Sequence, residues 1–353
     1  MAREKIISQQ ATGNEDEQFN AALRPQTLDA CIGSDELLER LRISIAAARK
    51  RDEPMEHVLL HGPPGLGKTT LAYVIAHEMG TSIRVTSGPA LTRASDLVGI
   101  LTNLDEGDVL FIDEIHRLTP SVEEYIYPAM EDYKVDFIVD SGMHSRTINL
   151  PLKPFTLIGA TTRAGLLSPP LRTRFGITLH LNFWNTDDLV ARCRMSADML
   201  SVGYDPDALQ RLASRARGTP RIANRLLRRC RDYAEVKGTG KLTAEMIDAA
   251  LKLEGIDELG LDELDRRMLM TIIKTYDGGP VGIEAVAATL GEETDTLVDV
   301  VEPYLLQAGM LARTRRGRSV TRQACEHLGV TYTPPANAAG QPLFEADEPD
   351  DEQ

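Results

Sequence analysis

A chain of 353 residues is longer than the roughly 250 at which a single core stops growing, so two or three domains are expected. Hydrophobic residues make up 42% of it, no uncharged apolar run approaches the ~18 residues of a membrane span, and the polar start Met1-Ala-Arg-Glu-Lys lacks a secretion signal; the expected location is the cytoplasm. A net charge of −14 argues against nucleic acid as a partner if it is spread evenly, because backbone affinity comes from Lys and Arg neutralising phosphates.

In chain order, residues 1–20 are polar and acidic and are expected to be disordered, with order beginning near Leu23-Arg24-Pro25. From about 55 to 183 short apolar runs alternate with helical patterns, which predicts βαβ units and a parallel sheet. Val58-Leu59-Leu60-His61, Ile83-Arg84-Val85-Thr86, Val109-Leu110-Phe111-Ile112 and Phe155-Thr156-Leu157-Ile158 read as buried strands. Two strand-like runs, 135–139 and 146–150, flank the turn signal Asp140-Ser141-Gly142 and predict a β-hairpin inserted into this α/β domain. Residues 185–255 have helical periodicity punctuated by Gly203, Gly218 and Gly238, as in a small all-helical domain. Helices follow near 264–276, 283–290 and 294–308, then short strands at 310–312 and 319–320 around a basic tip, a winged-helix pattern. The expected organisation is therefore a large α/β domain over 21–184, a helical domain over 185–255, a winged helix over 256–335 and a tail over 336–353. That tail carries six acids and no base within 341–353 and reads as disordered. Cys31, Cys193, Cys230 and Cys325 form no CxxC pair, which argues against zinc or disulfides.

Gly62-Pro63-Pro64-Gly65-Leu66-Gly67-Lys68-Thr69 completes the GxxxxGK[ST] phosphate-loop pattern between a strand and a helix. Glycines such as Gly65 and Gly67 let backbone N–H groups wrap phosphates, and the helix N-terminus adds its dipole. Lys68 is expected on the β- and γ-phosphates, Thr69 on Mg²⁺, and Thr70 beside them. The strand 109–112 ends in Asp113 and Glu114, where one carboxylate can organise the Mg²⁺ shell and the other can activate water; Asp113 is assigned to the metal and Glu114 to general base. After the strand at Phe155, either Thr161 or Thr162 could bond the γ-phosphate or the attacking water, or could cap a helix; Thr162 enters the candidate catalytic set with Thr161 as the alternative. Arg172 and Arg174 follow, and transition-state phosphoryl charge is commonly met by an arginine.

Basic residues gather in two places. Eight arginines without an acid lie in 211–231, and five without an acid in 313–322; either could be a nucleic-acid patch or a solvated helix face.

The phosphate loop, Asp113-Glu114-Ile115-His116-Arg117, Gly159-Ala160-Thr161-Thr162-Arg163, Arg174-Phe175-Gly176 and Gly218-Thr219-Pro220-Arg221 stand in the order found in AAA+ ATPases. Tyr127-Pro128-Ala129-Met130-Glu131-Asp132-Tyr133 and the stretch 217–229 extend the match, so that from about Leu23 to Gly329 the chain resembles the RuvB family of Holliday-junction branch-migration ATPases. This resemblance implies a homohexameric ring on duplex or Holliday-junction DNA, using ATP and Mg²⁺, working with RuvA and, in a wider complex, RuvC, in recombination, DNA repair and the SOS response. It implies that Arg174 is a finger in the neighbouring subunit's site and Arg221 a second sensor. It lowers the expectation that 211–231 binds DNA. Leu23, Arg24 and Trp184 fall at the adenine, with Trp184 replacing the family's usual tyrosine, and Glu131, Asp132 and Tyr133 fall near the nucleotide. The hairpin would dock on RuvA through Ile148 and Leu150, although its tip is less glycine-rich than usual. Arg313, Arg316 and Arg318 would meet DNA backbone, while Thr294 stands where arginine is frequent. A different class, an ATP-switched DNA-loading adaptor without hydrolysis, is disfavoured by Glu114 together with Arg174.

Overall fold

The structure is a computed structural model that describes residues 19–138 and 147–332. The chain divides into two compact units, the first ending at Glu254 and the second beginning at Gly255.

In the first unit, β1 (Val58–His61), β2 (Ile83–Ser87), β3 (Val109–Asp113), β6 (Thr156–Thr161) and β7 (Ile177–His180) form a parallel sheet in the order β2-β3-β6-β1-β7. The middle strands β3, β6 and β1 are almost wholly buried and the edge strands β2 and β7 are not, which is why only the middle ones read as unbroken apolar runs. Strand β7 is not among the four strands expected; its half-exposed Ile-Thr-Leu-His pattern carries little apolar signal.

Side chains alternate faces along each strand. Val58, Leu60, Val109, Phe111, Ile158 and Ala160 join a core with helices α1 (Asp35–Arg51) and α2 (Lys68–Met79). Leu59, Leu110, Ile112 and Leu157 join a second core with α3 (Ala94–Leu101) and α4 (Pro120–Asp132). A short helix, α5 (Pro169–Thr173), carries Leu171 into this second core. Parallel strands put all their C-terminal ends at one rim, where α/β sheets carry ligands.

The expected hairpin is present as its own two-stranded sheet, with β4 (Lys134–Ile138) antiparallel to β5 (Thr147–Pro151) and Val135 opposite Leu150. Leu150 is partly buried against the second core; the tip and the side chain of Ile148 lie outside the described residues. Residues 1–18 and 333–353 lie outside them as well, and with them the two expected disordered ends and the acidic tail.

Four helices complete the first unit: α6 (Thr186–Met199), α7 (Pro206–Ser214), α8 (Pro220–Lys237) and α9 (Ala244–Leu253). The arginine-rich stretch turns largely inward: Arg215, Arg217 and Arg225 are buried, and Arg211 and Arg215 both pair with Asp248. Burial and ion pairing within the first unit account for Arg211, Arg215, Arg217 and Arg225. No helix among the described residues is long and apolar enough to cross a membrane, and no three His, Cys, Asp or Glu residues gather as for a metal ion.

The second unit packs α10 (Glu263–Thr275), α11 (Ile283–Leu290) and a third helical segment around one core. That segment starts as α12 (Thr294–Thr296), passes through a π-helical stretch (Leu297–Val301) and ends as α13 (Glu302–Gln307). The antiparallel ribbon β8 (Leu311–Thr314) and β9 (Gly317–Val320) follows, bridged to Val281, and then α14 (Arg322–His327). Three helical segments and a ribbon make the expected winged helix. Gly317, at φ 137°, allows the ribbon to press on the Val281 backbone, where a Cβ would collide.

One buried histidine ties the layers of the first unit. Leu157 N–H donates to His57 Nδ1 at 2.9 Å, so Nε2 carries the proton toward Met130 O at 3.1 Å. Burial pushes the imidazole pKa down, with the Met130 carbonyl and Glu56 pulling it back up only in part. Below the ordinary value near 6.5 the unfolded chain takes up a proton that the folded chain resists, so stability is retained above that pH and lost as pH falls. We expect the urea midpoint to drop between pH 7 and pH 5.5, and to drop less in His57→Asn, as followed by circular dichroism.

Candidate nucleotide-binding site

The loop 62–67 joins β1 to α2 at the sheet rim. Gly62, Gly65 and Gly67 have φ values of 144°, 79° and 100°, conformations costly for residues with a Cβ. Gly67 caps α2 without a side-chain acceptor, so the first N–H groups of the helix are available to an anion. Lys68 is buried, and its Nζ donates to Gly62 O at 2.8 Å and Pro63 O at 2.9 Å, folding the ammonium over the loop. Burial pushes its pKa down to about 8, opposed by the Asp113 and Glu114 carboxylates and assisted by Arg221. A cradle of glycines, open helix N–H groups and a buried ammonium fits a nucleotide phosphate chain. Thr69 and Thr70 follow on α2, both half-buried.

Strand β6 lies between β3 and β1, with Ile112 opposite Gly159 and His61 opposite Thr161. The ends of β3 and β6 therefore sit beside the loop. Asp113 Oδ1 accepts the Glu114 N–H at 2.9 Å, and Glu114 turns off the strand at φ 50°. The two threonines separate by burial. Thr161 is fully enclosed, accepts from Arg163 N–H at 3.0 Å and lies 2.9 Å from His116 Nδ1. Thr162 is half-buried, and among the described residues its hydroxyl has no hydrogen-bond partner. Of the pair, only Thr162 has a hydroxyl free for a ligand.

Residues from distant segments meet at this rim. Arg221, at the start of α8, directs its backbone N–H toward Gly65 O at 3.4 Å. Trp184 N–H donates to Gly218 O at 2.8 Å, and its ring is partly buried against the α1–α2 core. Leu23 is buried, its carbonyl accepting from the Arg192 guanidinium at 2.7 Å, and the Arg24 guanidinium stacks 4.6 Å above the Tyr73 ring. Arg192 and Tyr73 escaped sequence reasoning; a lone arginine in an amphipathic helix carries no signal until its helix is docked.

Arg174 makes its contacts elsewhere. It donates from Nη1 to Pro170 O at 2.6 Å, pairs through Nη2 with Glu131 at 3.0 Å and lies 4.5 Å over the Tyr127 ring. Asp132 pairs with Lys134 at 2.8 Å, and Tyr133, at φ 49°, meets Phe155 edge-on at 5.9 Å. Glu131, Asp132 and Tyr133 thus line up with Arg174 and the hairpin rather than with the phosphate loop of their own chain.

In the second unit, Arg313 and Arg316 are exposed. Arg318 is not: its side chain is 11% exposed, and Nε and Nη2 each donate to buried Glu302 at 3.0 Å. This fork braces the wing against α13, which departs from the expectation of Arg318 as a phosphate contact.

A parallel sheet with a phosphate loop, a carboxylate pair at the neighbouring strand end and a helical segment whose arginine reaches the loop defines an AAA+ P-loop domain. Three family profiles cover the chain: the P-loop domain of the Holliday junction DNA helicase RuvB over 23–181, the RuvB AAA lid domain over 184–257 and the RuvB C-terminal winged helix domain over 258–329. Among solved structures, the Thermotoga maritima RuvB Holliday junction branch migration motor is 49% identical, with a TM-score of 0.81, over 88% of this chain and 99% of that one. A threonine-to-valine variant of that protein is 50% identical with a TM-score of 0.80, over 88% of this chain and 99% of that one. The chain belongs to the RuvB family.

Trp184 is the single tryptophan of the sequence, so its emission reports this site alone. We expect a non-hydrolysable ATP analogue to change that emission with a saturable curve. Lys68→Ala should weaken the apparent affinity about 10- to 100-fold, the worth of one charge-assisted contact. Emission that ignores nucleotide while calorimetry shows binding would remove Trp184 from the site.

Proposed function

We propose that the protein is an ATP-driven DNA translocase that powers Holliday-junction branch migration with RuvA, in homologous recombination and DNA repair. The observation that carries this reading is that the contacts of Arg174 are to Glu131, Pro170 and Tyr127, while Lys68, Asp113, Glu114 and Arg221 gather at the phosphate cradle. A guanidinium engaged with Pro170, Glu131 and Tyr127 of its own domain serves hydrolysis when it enters the site of an adjacent copy. The proposal includes sites at subunit interfaces and, as the RuvB family membership suggests, a homohexameric ring, composed of an ATPase domain over 21–184, a helical domain over 185–255 and a winged-helix head over 256–335.

In each site Gly65, Gly67, Lys68, Thr69 and Thr70 hold the phosphates of ATP, while Leu23, Arg24 and Trp184 flank its base. Thr69 and Asp113 would hold Mg²⁺, which would supply charge neutralisation at the phosphates. Glu114 accepts the proton of the attacking water, Thr162 bonds the γ-phosphate or that water, and Arg221 contacts the γ-phosphate from the helical domain. Arg174 stabilises charge on the transferring phosphoryl group of the neighbour, and Glu131, Asp132 and Tyr133 travel with it to that interface. The hairpin, through Ile148 and Leu150, is the proposed RuvA contact, with RuvC joining the larger assembly. Contacts from Arg313 and Arg316 to DNA phosphates are independent of sequence, as a translocase requires.

Mixed rings test the shared site. Arg174→Ala and Lys68→Ala subunits should each hydrolyse ATP at a small fraction of the wild-type rate. Mixing them should restore measurable turnover, because some interfaces join an intact loop to an intact finger; no recovery from assembled mixed rings would refute the trans arrangement. The wing arginines separate by a second measurement. Arg316→Ala should lower the salt dependence of DNA binding by about one unit of log–log slope without changing stability. Arg318→Ala should instead destabilise the second unit by about 2–4 kcal/mol in urea unfolding, since it leaves the buried Glu302 carboxylate with only the more distant Arg313 guanidinium at 3.9 Å.

A further inference from the structure

Behind Glu114 stands a histidine that the proposed mechanism does not use. Ile115, fully buried, packs into the space left by Gly159 on β6, where a Cβ would sit only 2.9 Å from its Cδ1. This contact pins the turn after β3 to β6 and swings the next residue, His116, to the end of that strand. The His116 side chain is 6% exposed, with Nδ1 2.9 Å from Thr161 Oγ1 and Nε2 3.4 Å from Glu114 Oε2.

The hydrogen inventory gives this chain a direction. Thr161 Oγ1 already accepts the Arg163 N–H, and the hydroxyl is sealed from water. Its own hydrogen needs an acceptor, since an enclosed unsatisfied O–H is costly. Among the described residues, His116 Nδ1 is the acceptor within reach. With Nδ1 accepting, the ring proton is on Nε2 and faces the carboxylate. From 3.4 Å, a small rotation of the carboxylate makes that contact a direct hydrogen bond.

We propose that Thr161 and His116 form a relay that orients the Glu114 carboxylate to take the proton of the attacking water, with His116 a positioning residue that touches neither nucleotide nor metal. The proposal rests on the reading of Glu114 as general base. By fixing one carboxylate oxygen, the relay selects one side-chain rotamer at a residue whose backbone is in the left-handed region and whose side chain is 35% exposed. It also gives the adjacent threonines different work: Thr161 holds the base from behind, and Thr162 faces the ligand.

The test uses full-length protein with junction DNA, measuring ATP turnover and, through Trp184 emission, affinity for a non-hydrolysable ATP analogue. Thr161→Val and His116→Leu should lower kcat about 10- to 100-fold, as expected when a catalytic group is misplaced by about 1 Å, with analogue affinity unchanged. Thr161→Ser, which keeps the hydroxyl, and His116→Gln, which keeps a donor toward Glu114, should stay within about threefold of wild type in this positioning scheme. In single-turnover runs, adding His116→Leu to Glu114→Gln should cause no further loss, because His116 acts through that carboxylate. Wild-type kcat in Thr161→Val and His116→Leu alongside an inactive Glu114→Gln would overturn the relay and leave the base assignment standing. Lost analogue affinity, or an additive loss on the Glu114→Gln background, would overturn it in favour of a structural role. An active Glu114→Gln would instead remove the base reading, and the relay with it.

Discussion

The site depends on parallel pairing among three buried strands. With β6 hydrogen-bonded to β3 on one side and β1 on the other, the carboxylates, the threonines and the phosphate loop end at the same rim. An antiparallel neighbour would send one of these ends to the opposite side of the sheet. The pairing is held by two cores that share the strands face by face, Phe111 and Ile158 on one side and Leu110 and Leu157 on the other. A slip of one residue would exchange those faces and displace Thr161 from His116.

On that frame the electrostatics follow from burial. Lys68 is folded onto loop carbonyls in a place where its charge is costly, so an anionic ligand replaces weak acceptors with strong ones. Arg221 adds a second positive charge from a different helix, and the two disfavour each other.

Arginines show how far residue type underdetermines role. Arg174, Arg221 and Arg318 are alike in sequence, yet one stacks on Tyr127 and pairs with Glu131, one approaches the phosphate loop and one is locked to Glu302. Sequence proximity to a basic tip suggests DNA contact for Arg318. Its fork is instead used by a carboxylate that has almost no access to water, whereas Arg313, Arg315 and Arg316 of the wing are exposed. The same lesson applies to the eight arginines of 211–231, several of which are buried.

The sequence by itself determined what depends on local chemistry. A phosphate loop needs glycines at fixed offsets, buried middle strands need continuous apolar runs, and the helices of the second unit show their period, so Gly65, Gly67, Lys68, Asp113 and Glu114 and most elements are legible from residue order alone. Strand β7 is not, because an edge strand with one buried side chain carries little apolar signal. Only the tertiary structure separated Thr161 from Thr162 by burial, brought His116 behind Glu114, paired Arg174 with Glu131 and sank Arg318 against Glu302. Each of these depends on which partner lies within about 3 Å across a gap of many residues, and hydrogen-bond strength falls too steeply with distance for residue type or spacing to reveal it.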